Sequence, residues 1–510
     1  MSEISANNKR IAKNTMLLYF RMGIIMLVQL YTSRVVLHTL GVEDYGIYNV
    51  VGGVMAMFGF INGAMSSATS RFITFALGKG DRKHQNDVFC ASVNVHIIIS
   101  LMIVLLAETV GLWYVETKLV LPPDRSVAAV WVYQCSILAT LVMVMSVPFN
   151  ATIIAHERMS AFAYISIIEV ILKLLIVYLL VVTPYDKMLF YAILVFVIQL
   201  SVLCCYAIYC YRHFEETKYH FRLGGKLERE MGAFAVWSFW GNFAAVTYTQ
   251  GLNLMLNFFF GPVVNAARAV AVQVQNAMTQ FVTNFQMALN PQITKSYAQG
   301  KLDYMYNLMH RSARFSFYLL LMLAVPIQME THRILAIWLV EVPEHTVVFL
   351  RIMLAVGLVY TLSNPLIILA QATGKVRKYQ LVAGGVLLTI VPISYICLCM
   401  GLPAYSVFLV HFAIEGIDFF VRMYLLRGMC GLSVRRYILS VCVVVTRVAV
   451  IAYIPSILIN LFLPDDTLGS IAVITLSLFF TISAIFLMGL TNNERQFATS
   501  KILYYIHKYM

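Results

Sequence analysis

Stretches of about twenty nearly unbroken apolar residues recur from one end of this chain to the other, and no other feature limits its fold so strongly. A helix that crosses a bilayer needs about 20 such residues. Fourteen runs qualify, at approximately 15–37, 47–68, 88–113, 128–150, 161–182, 188–210, 232–257, 263–289, 314–337, 347–371, 380–401, 404–426, 437–462 and 469–490. A soluble domain is about 45–50% apolar and about 25% charged. These 510 residues are 60% hydrophobic and only 12% charged, so water is not the main solvent of the surface. The expected class is an all-α polytopic membrane protein with about 14 transmembrane helices.

The distribution of Lys and Arg tests that count, because a missed span would scramble their alternation between the two sides. With the N-terminus inside, 26 of the 37 Lys and Arg residues fall in inner segments. Four (Lys118, Arg125, Lys187 and Arg333) fall in outer loops. Both termini are therefore expected on the cytoplasmic side. The net charge of +13 is accounted for without nucleic acid. Lys9, Arg10 and Lys13 precede the first run, but no small-residue cleavage pattern follows it, so the first span is expected to stay. The nine cysteines lie mostly in apolar runs with no Cys/His partners at zinc-ligand spacing, as buried small hydrophobes do.

One run is interrupted by acids. In LGVEDYGIYNVVGG, Leu40 to Gly53, the segment Val42-Glu43-Asp44 reads as an outer turn, with Gly41 supplying a permissive backbone. Further on, Gly52, Ala56, Gly59, Gly63, Ser66 and Ser70 form one stripe of small side chains. Close helix packing explains such a stripe, and a helix able to slide on its neighbour is the alternative. The charged loop Arg212–Arg229 separates six spans from the rest. At an offset of 220 residues, Gly41 aligns with Gly261 and Gly80 with Gly300. The expected plan is two pseudo-symmetric six-helix lobes around a central cavity, residues 1–218 and 219–430, with two C-terminal spans in 431–510.

Two segments carry a family resemblance. NNKRIAKNTMLLYFRMGIIMLVQLYTSRVVLHTLGVEDYGIYNVVGGV and SATSRFITFALGKGD resemble the start of bacterial polysaccharide-exporter flippases. These belong to the multidrug/oligosaccharidyl-lipid/polysaccharide exporter superfamily, with lipid II flippases and multidrug antiporters. The resemblance implies a V-shaped cavity between two lobes. It also implies flipping of an undecaprenyl-diphosphate-linked oligosaccharide from the inner to the outer leaflet. Lipid II flippases carry functional cavity arginines in spans 1 and 8, where this chain has Arg34 and Arg268.

Ionisable and amide groups inside spans are costly and usually face protein or a wet cavity. In span 8, Arg268, Gln275, Thr279 and Gln286 fall within about 20° of one line down the helix. Asn265, Thr283 and Asn290 border it. Interhelical hydrogen bonding would explain the stripe; a cavity wall meeting sugar and diphosphate is preferred, since a guanidinium grips phosphate oxygens in pairs. Span 7 echoes it with Ser238, Asn242, Thr249 and Asn253. Span 1 carries Asn14, Arg21 and Thr32 on one face and Arg34 on another, and both arginines are near enough to the ends to snorkel. His411, Glu415, Asp418 and Arg422 share one face of span 12. Either Glu415 or Asp418 pairs with Arg422 to fix packing, or the group couples transport to Na+ or H+. Glu169 and Lys173 form an i,i+4 pair, and Asn364-Pro365 is the best kink candidate.

No P-loop, H-E-x-x-H or G-x-S-x-G pattern occurs, and the outer loops are short. A transporter rather than an enzyme is expected, with no cofactor beyond a coupled ion. Its partners would be the lipid-linked oligosaccharide, the bilayer and the polysaccharide polymerase machinery. A drug antiporter of the same superfamily would favour an acidic or aromatic cavity, and a polymerase or ligase would need a larger outer loop.

Overall fold

The computed structural model describes residues 3–56, 59–117, 124–221, 225–338, 342–464, 466–496 and 499–500. Among them no strand occurs, and the fourteen apolar runs fall on helices, some of which extend well past the run and some of which divide a run in two. The physical reason is lipid: an unpaired amide there is expensive, so each segment closes its hydrogen bonds within itself. By length and composition alone, nine helical stretches among the described residues could cross a membrane.

The helices are α1 Glu3–Ala56, α2 Gly59–Lys79, α3 Arg82–Leu106, α4 Leu112–Thr117, α5 Ser126–Ala155, α6 Met159–Val182, α7 Lys187–His213, α8 Lys226–Phe260 and α9 Pro262–Ala298. They continue with α10 Leu302–Met329, α11 Thr331–Trp338, α12 Thr346–Thr373, α13 Val376–Leu388, α14 Ile390–Cys399, α15 Ser406–Cys430, α16 Val434–Tyr437, α17 Val443–Phe462 and α18 Thr467–Ala484. Two compact units emerge, Met1–Phe243 with Thr294–Lys301, and Ala244–Ile293 with Leu302–Met510. Helices α8 and α9 each contribute to both.

In the first unit α5 packs on α7 and α2, and α1 packs on α6. Its core includes Leu18, Phe89, Ile153 and Met159. Between α3 and α4 a π-helical turn, Ala107–Gly111, loosens the backbone ladder. There the buried Tyr133 hydroxyl donates to the Ala107 carbonyl at 2.9 Å. A Cβ at Gly111 would collide with that hydroxyl, so the turn needs glycine. In the second unit α12 packs on α15 and α10, and α17 and α18 pack on each other and on α10.

The break expected near Val42 occurs at Gly41, whose φ of 81° interrupts α1. Its counterpart at the 220-residue offset, Gly261, has φ 79°, and the next matched pair, Gly80 and Gly300, has φ 78° and 72°. Side chains other than glycine rarely adopt this region, so the repeat extends from letters to backbone geometry. α12 runs through Pro365 without a break in the helix. The interruption comes at Thr389, three residues before Pro392. Pro392 has no N–H to offer the carbonyl four residues back, which frees the ladder at that point.

Outward faces confirm the solvent. Phe20, Leu27, Trp131, Tyr178, Phe258 and Phe479 are all more than half exposed. Such side chains on a water-facing surface would drive aggregation; against acyl chains they are at home.

Candidate functional site

Helix α9 brings Arg268 into the second unit, where the residue is only 8% exposed. Its Nη1 donates to Asn253 Oδ1 at 3.1 Å and its Nη2 to the Thr249 carbonyl at 2.8 Å, both on α8. Nε is buried without a hydrogen-bond partner among the described residues. Two residues singled out from the sequence, Arg268 and Asn253, thus meet directly. The Nε–H is left for an acceptor that the described residues do not supply.

The rest of that stripe has protein partners. Gln275 Nε2 donates to the Met353 carbonyl on α12 at 2.9 Å. The Thr279 hydroxyl returns to the Gln275 carbonyl at 3.0 Å. Gln286, buried, donates to Ser316 Oγ on α10 at 3.0 Å. A different row on the same helix is open: Gln273, Asn276, Gln280 and Thr283 are exposed. They lie about 100° around the axis from the Arg268 line. Their 3-4-3 spacing is visible in the sequence, but choosing Arg268 to set the helical phase left three of them outside the predicted stripe. Amides facing hydrocarbon are costly, so an open row of them calls for water or a polar ligand.

Helix α15 resolves its own ladder. Arg422 Nε donates to Asp418 Oδ2, and Nη1 donates to the Tyr379 hydroxyl on α13 at 2.9 Å. Asp418 is fully buried and Arg422 nearly so. Glu415 is buried beside this pair, and its Oε1 has no hydrogen-bond partner among the described residues. Asp418, then, pairs with the arginine, while Glu415 is left over. The His411 ring packs 4.9 Å from the Tyr248 ring on α8. Arg268 is an electrostatic neighbour of both Tyr248 and His411, which places the two sets side by side in one unit. Tyr379 and Tyr248 were not singled out from the sequence; a lone tyrosine in an apolar run carries no signal there.

In the first unit, Arg21 stacks over the Phe162 ring at 4.4 Å, and its Nε has no hydrogen-bond partner among the described residues. Glu169 pairs with Lys173 at 2.6 Å. Asn242 is half-buried on α8, with Nδ2 3.9 Å from where a Cβ on Gly63 would sit. The side chains of Arg34 and Asn265 lie outside the described residues.

The acid in the opening run has a partner 81 residues away. Arg125, just before α5, bridges Asp44 at 2.8 Å and Asp186 before α7. Burial works against the Arg125 charge, yet the two carboxylates outweigh it and hold the guanidinium above its ordinary value. At the other end, the linker after α7 is strapped down. Asn86 donates to the Glu216 and Lys218 carbonyls at 2.8 and 2.7 Å, and His156 stacks on Phe214 and bonds Glu216. Burial alone would raise the Glu216 carboxyl; the His156 bond and nearby Arg82 hold it below the usual carboxylate value.

All-helical among the described residues, with stretches long and apolar enough to cross a membrane, the chain has the architecture of a multi-pass membrane protein. Solved structures share the fold. An outward-facing multidrug resistance MATE family transporter of the MOP superfamily matches with a TM-score of 0.69 and 13% identity, covering 83% of this chain and 95% of that one. A MATE in the bent conformation gives 0.72 at 11% identity, covering 83% and 96%. A MOP superfamily transporter from Pyrococcus furiosus, described as having a binding pocket of reverse polarity, gives 0.65 at 13% identity, covering 83% and 96%. No curated protein matches the chain by sequence. The pattern of the polysaccharide biosynthesis protein family matches residues 11–297, more than half of the chain, and the chain belongs to that family.

Proposed function

We propose that this protein flips an undecaprenyl-diphosphate-linked oligosaccharide from the cytoplasmic to the outer leaflet of the bacterial cytoplasmic membrane, by alternating access, with both termini in the cytoplasm. The observation that carries the reading is Arg268 with its unpartnered Nε, next to the open row Gln273, Asn276, Gln280 and Thr283 on one helix. A guanidinium suits a diphosphate and amides suit sugar hydroxyls, while the family supplies the link to polysaccharide. Arg21 and Arg34 remain substrate-cavity candidates from the sequence. Gln275, Thr279, Gln286, Asn242 and Asn253 shape the polar surroundings. Glu415, with His411 beside it and Asp418 and Arg422 next to it, is the candidate coupling group for H+ or Na+. Polymerase machinery at the outer face would consume the product.

Deleting the gene and extracting lipid-linked glycans tests this. A completed repeat unit accumulating on the cytoplasmic side is the expected result, and an Arg268→Ala strain should accumulate it too. Repeat units already on the outer side would point to a polymerase. Normal glycans with heightened drug sensitivity would favour a cation antiporter, which buried arginines oppose.

A further inference from the structure

Several basic side chains in this protein are matched to acids: Arg82 to Glu215, Arg125 to Asp44 and Asp186, and Arg311 and Arg314 to Glu494. At the turn from α12 into α13, Lys375 and Lys378 have no such match among the described residues. Lys375, Arg377 and Lys378 line a pocket of about 370 Å3 together with Leu381 and Val382. All three cations are exposed, and no ion pair involves Lys375 or Lys378 among the described residues. No carboxylate lines the pocket.

Below the charges the same helix face becomes apolar. Leu381 and Val382 are 39% and 38% exposed. Gly385 follows one turn on, and a Cβ there would touch nothing, leaving a shallow dip. From Lys378 the positions advance by four and three residues to Val382 and Gly385, which keeps them on one side of α13. Ile393 and Ile396 are exposed on α14 beyond the break. A concave cationic rim at a membrane boundary with an apolar strip leading away from it has the polarity of a phospholipid laid against the helix.

We propose that this pocket binds the phosphate headgroup of an anionic phospholipid in the inner leaflet, with an acyl chain along Leu381, Val382 and Gly385. Charge complementarity selects the occupant. Lys375 and Lys378, in a pocket that no carboxylate lines, favour a net-negative headgroup over a zwitterionic one, and each Lys or Arg at an anionic surface typically adds several-fold in affinity. The inner-leaflet placement rests on the orientation proposed above; the pocket and its chemistry do not.

The test is native mass spectrometry of the full chain in detergent, titrated with phosphatidylglycerol and with phosphatidylcholine of matched chains. The wild type should retain phosphatidylglycerol in preference, and Lys375→Ala/Lys378→Ala should weaken that retention by about tenfold or more. Lys375→Arg/Lys378→Arg should keep it, which separates charge from folding. Equal retention of both lipids by the wild type, or no effect of the alanine pair, overturns the proposal. Displacement by inorganic phosphate as readily as by phosphatidylglycerol overturns it as a lipid site. Stronger retention of undecaprenyl diphosphate, abolished by the alanine pair, would assign the pocket to transported substrate and overturn the phospholipid. Labelling of Lys375→Cys by an impermeant maleimide, above the native-cysteine background, reports orientation separately. Retained lipid with labelling from outside would keep the site and remove only its leaflet.

Discussion

Replacing Asp418 by asparagine should unfold the protein more readily than replacing Glu415 by glutamine, although the two carboxylates lie one turn apart. Asp418 is 0% exposed and neutralises Arg422, itself 6% exposed. Without it the guanidinium keeps the Tyr379 hydroxyl but loses its hydrogen-bonded counter-charge. Breaking a buried ion pair from one side costs about 3–5 kcal/mol. Glu415→Gln preserves shape and removes no bond from its unpartnered Oε1, so a cost of about 1 kcal/mol or less is expected. With 510 residues, about 1 kcal/mol corresponds to about 1 °C, so the expected losses are about 3–5 °C against about 1 °C. Removing both members of the pair, as Asp418→Asn/Arg422→Met, should recover most of the loss. Thermal unfolding in detergent reads the stability side. Flipping in proteoliposomes, with and without an imposed ion gradient, reads the function, where Glu415→Gln should lose the response to the gradient. Equal melting of the two variants would remove the division of labour. A gradient response unchanged in Glu415→Gln would remove its coupling role.

Gly78→Ala should destabilise despite the better helix former, because its Cβ would lie 2.6 Å from Ala298 Cβ and 2.9 Å from the Lys295 carbonyl. Overpacking of about 1–3 kcal/mol exceeds a propensity gain of about 1; Gly23→Ala, with nothing within 4 Å, should be neutral or stabilising in the same melting assay. Asp44 is only 8% exposed, so Arg125→Ala should cost about 1–3 kcal/mol, and a double-mutant cycle with Asp44→Asn should show coupling rather than additivity. The Glu216 strap gives a pH signature. Its carboxyl lies below the ordinary value when folded, so its stabilisation is present at neutral pH and is lost as pH falls through that lowered value. The melting difference between wild type and Glu216→Gln should shrink over that acidic range, and a constant difference would discard the account.

Helices were written into the chain because apolar runs in lipid leave the backbone no other partner than itself. The turns at Gly41 and Gly261 were equally local, since a positive φ favours glycine. The shared face of His411, Glu415, Asp418 and Arg422 also follows from helical period alone. Periodicity gives a side chain its angle about its own axis and says nothing of what stands opposite. That is why Gln275 and Gln286, in phase with Arg268, turned out to bond α12 and α10, while the open row lay about 100° away. The same gap hid Tyr379 as the second support of Arg422 and Arg125 as the partner of Asp44. Contacts between helices far apart in the chain depend on packing shape and desolvation summed over whole faces, and only the folded bundle carries that information.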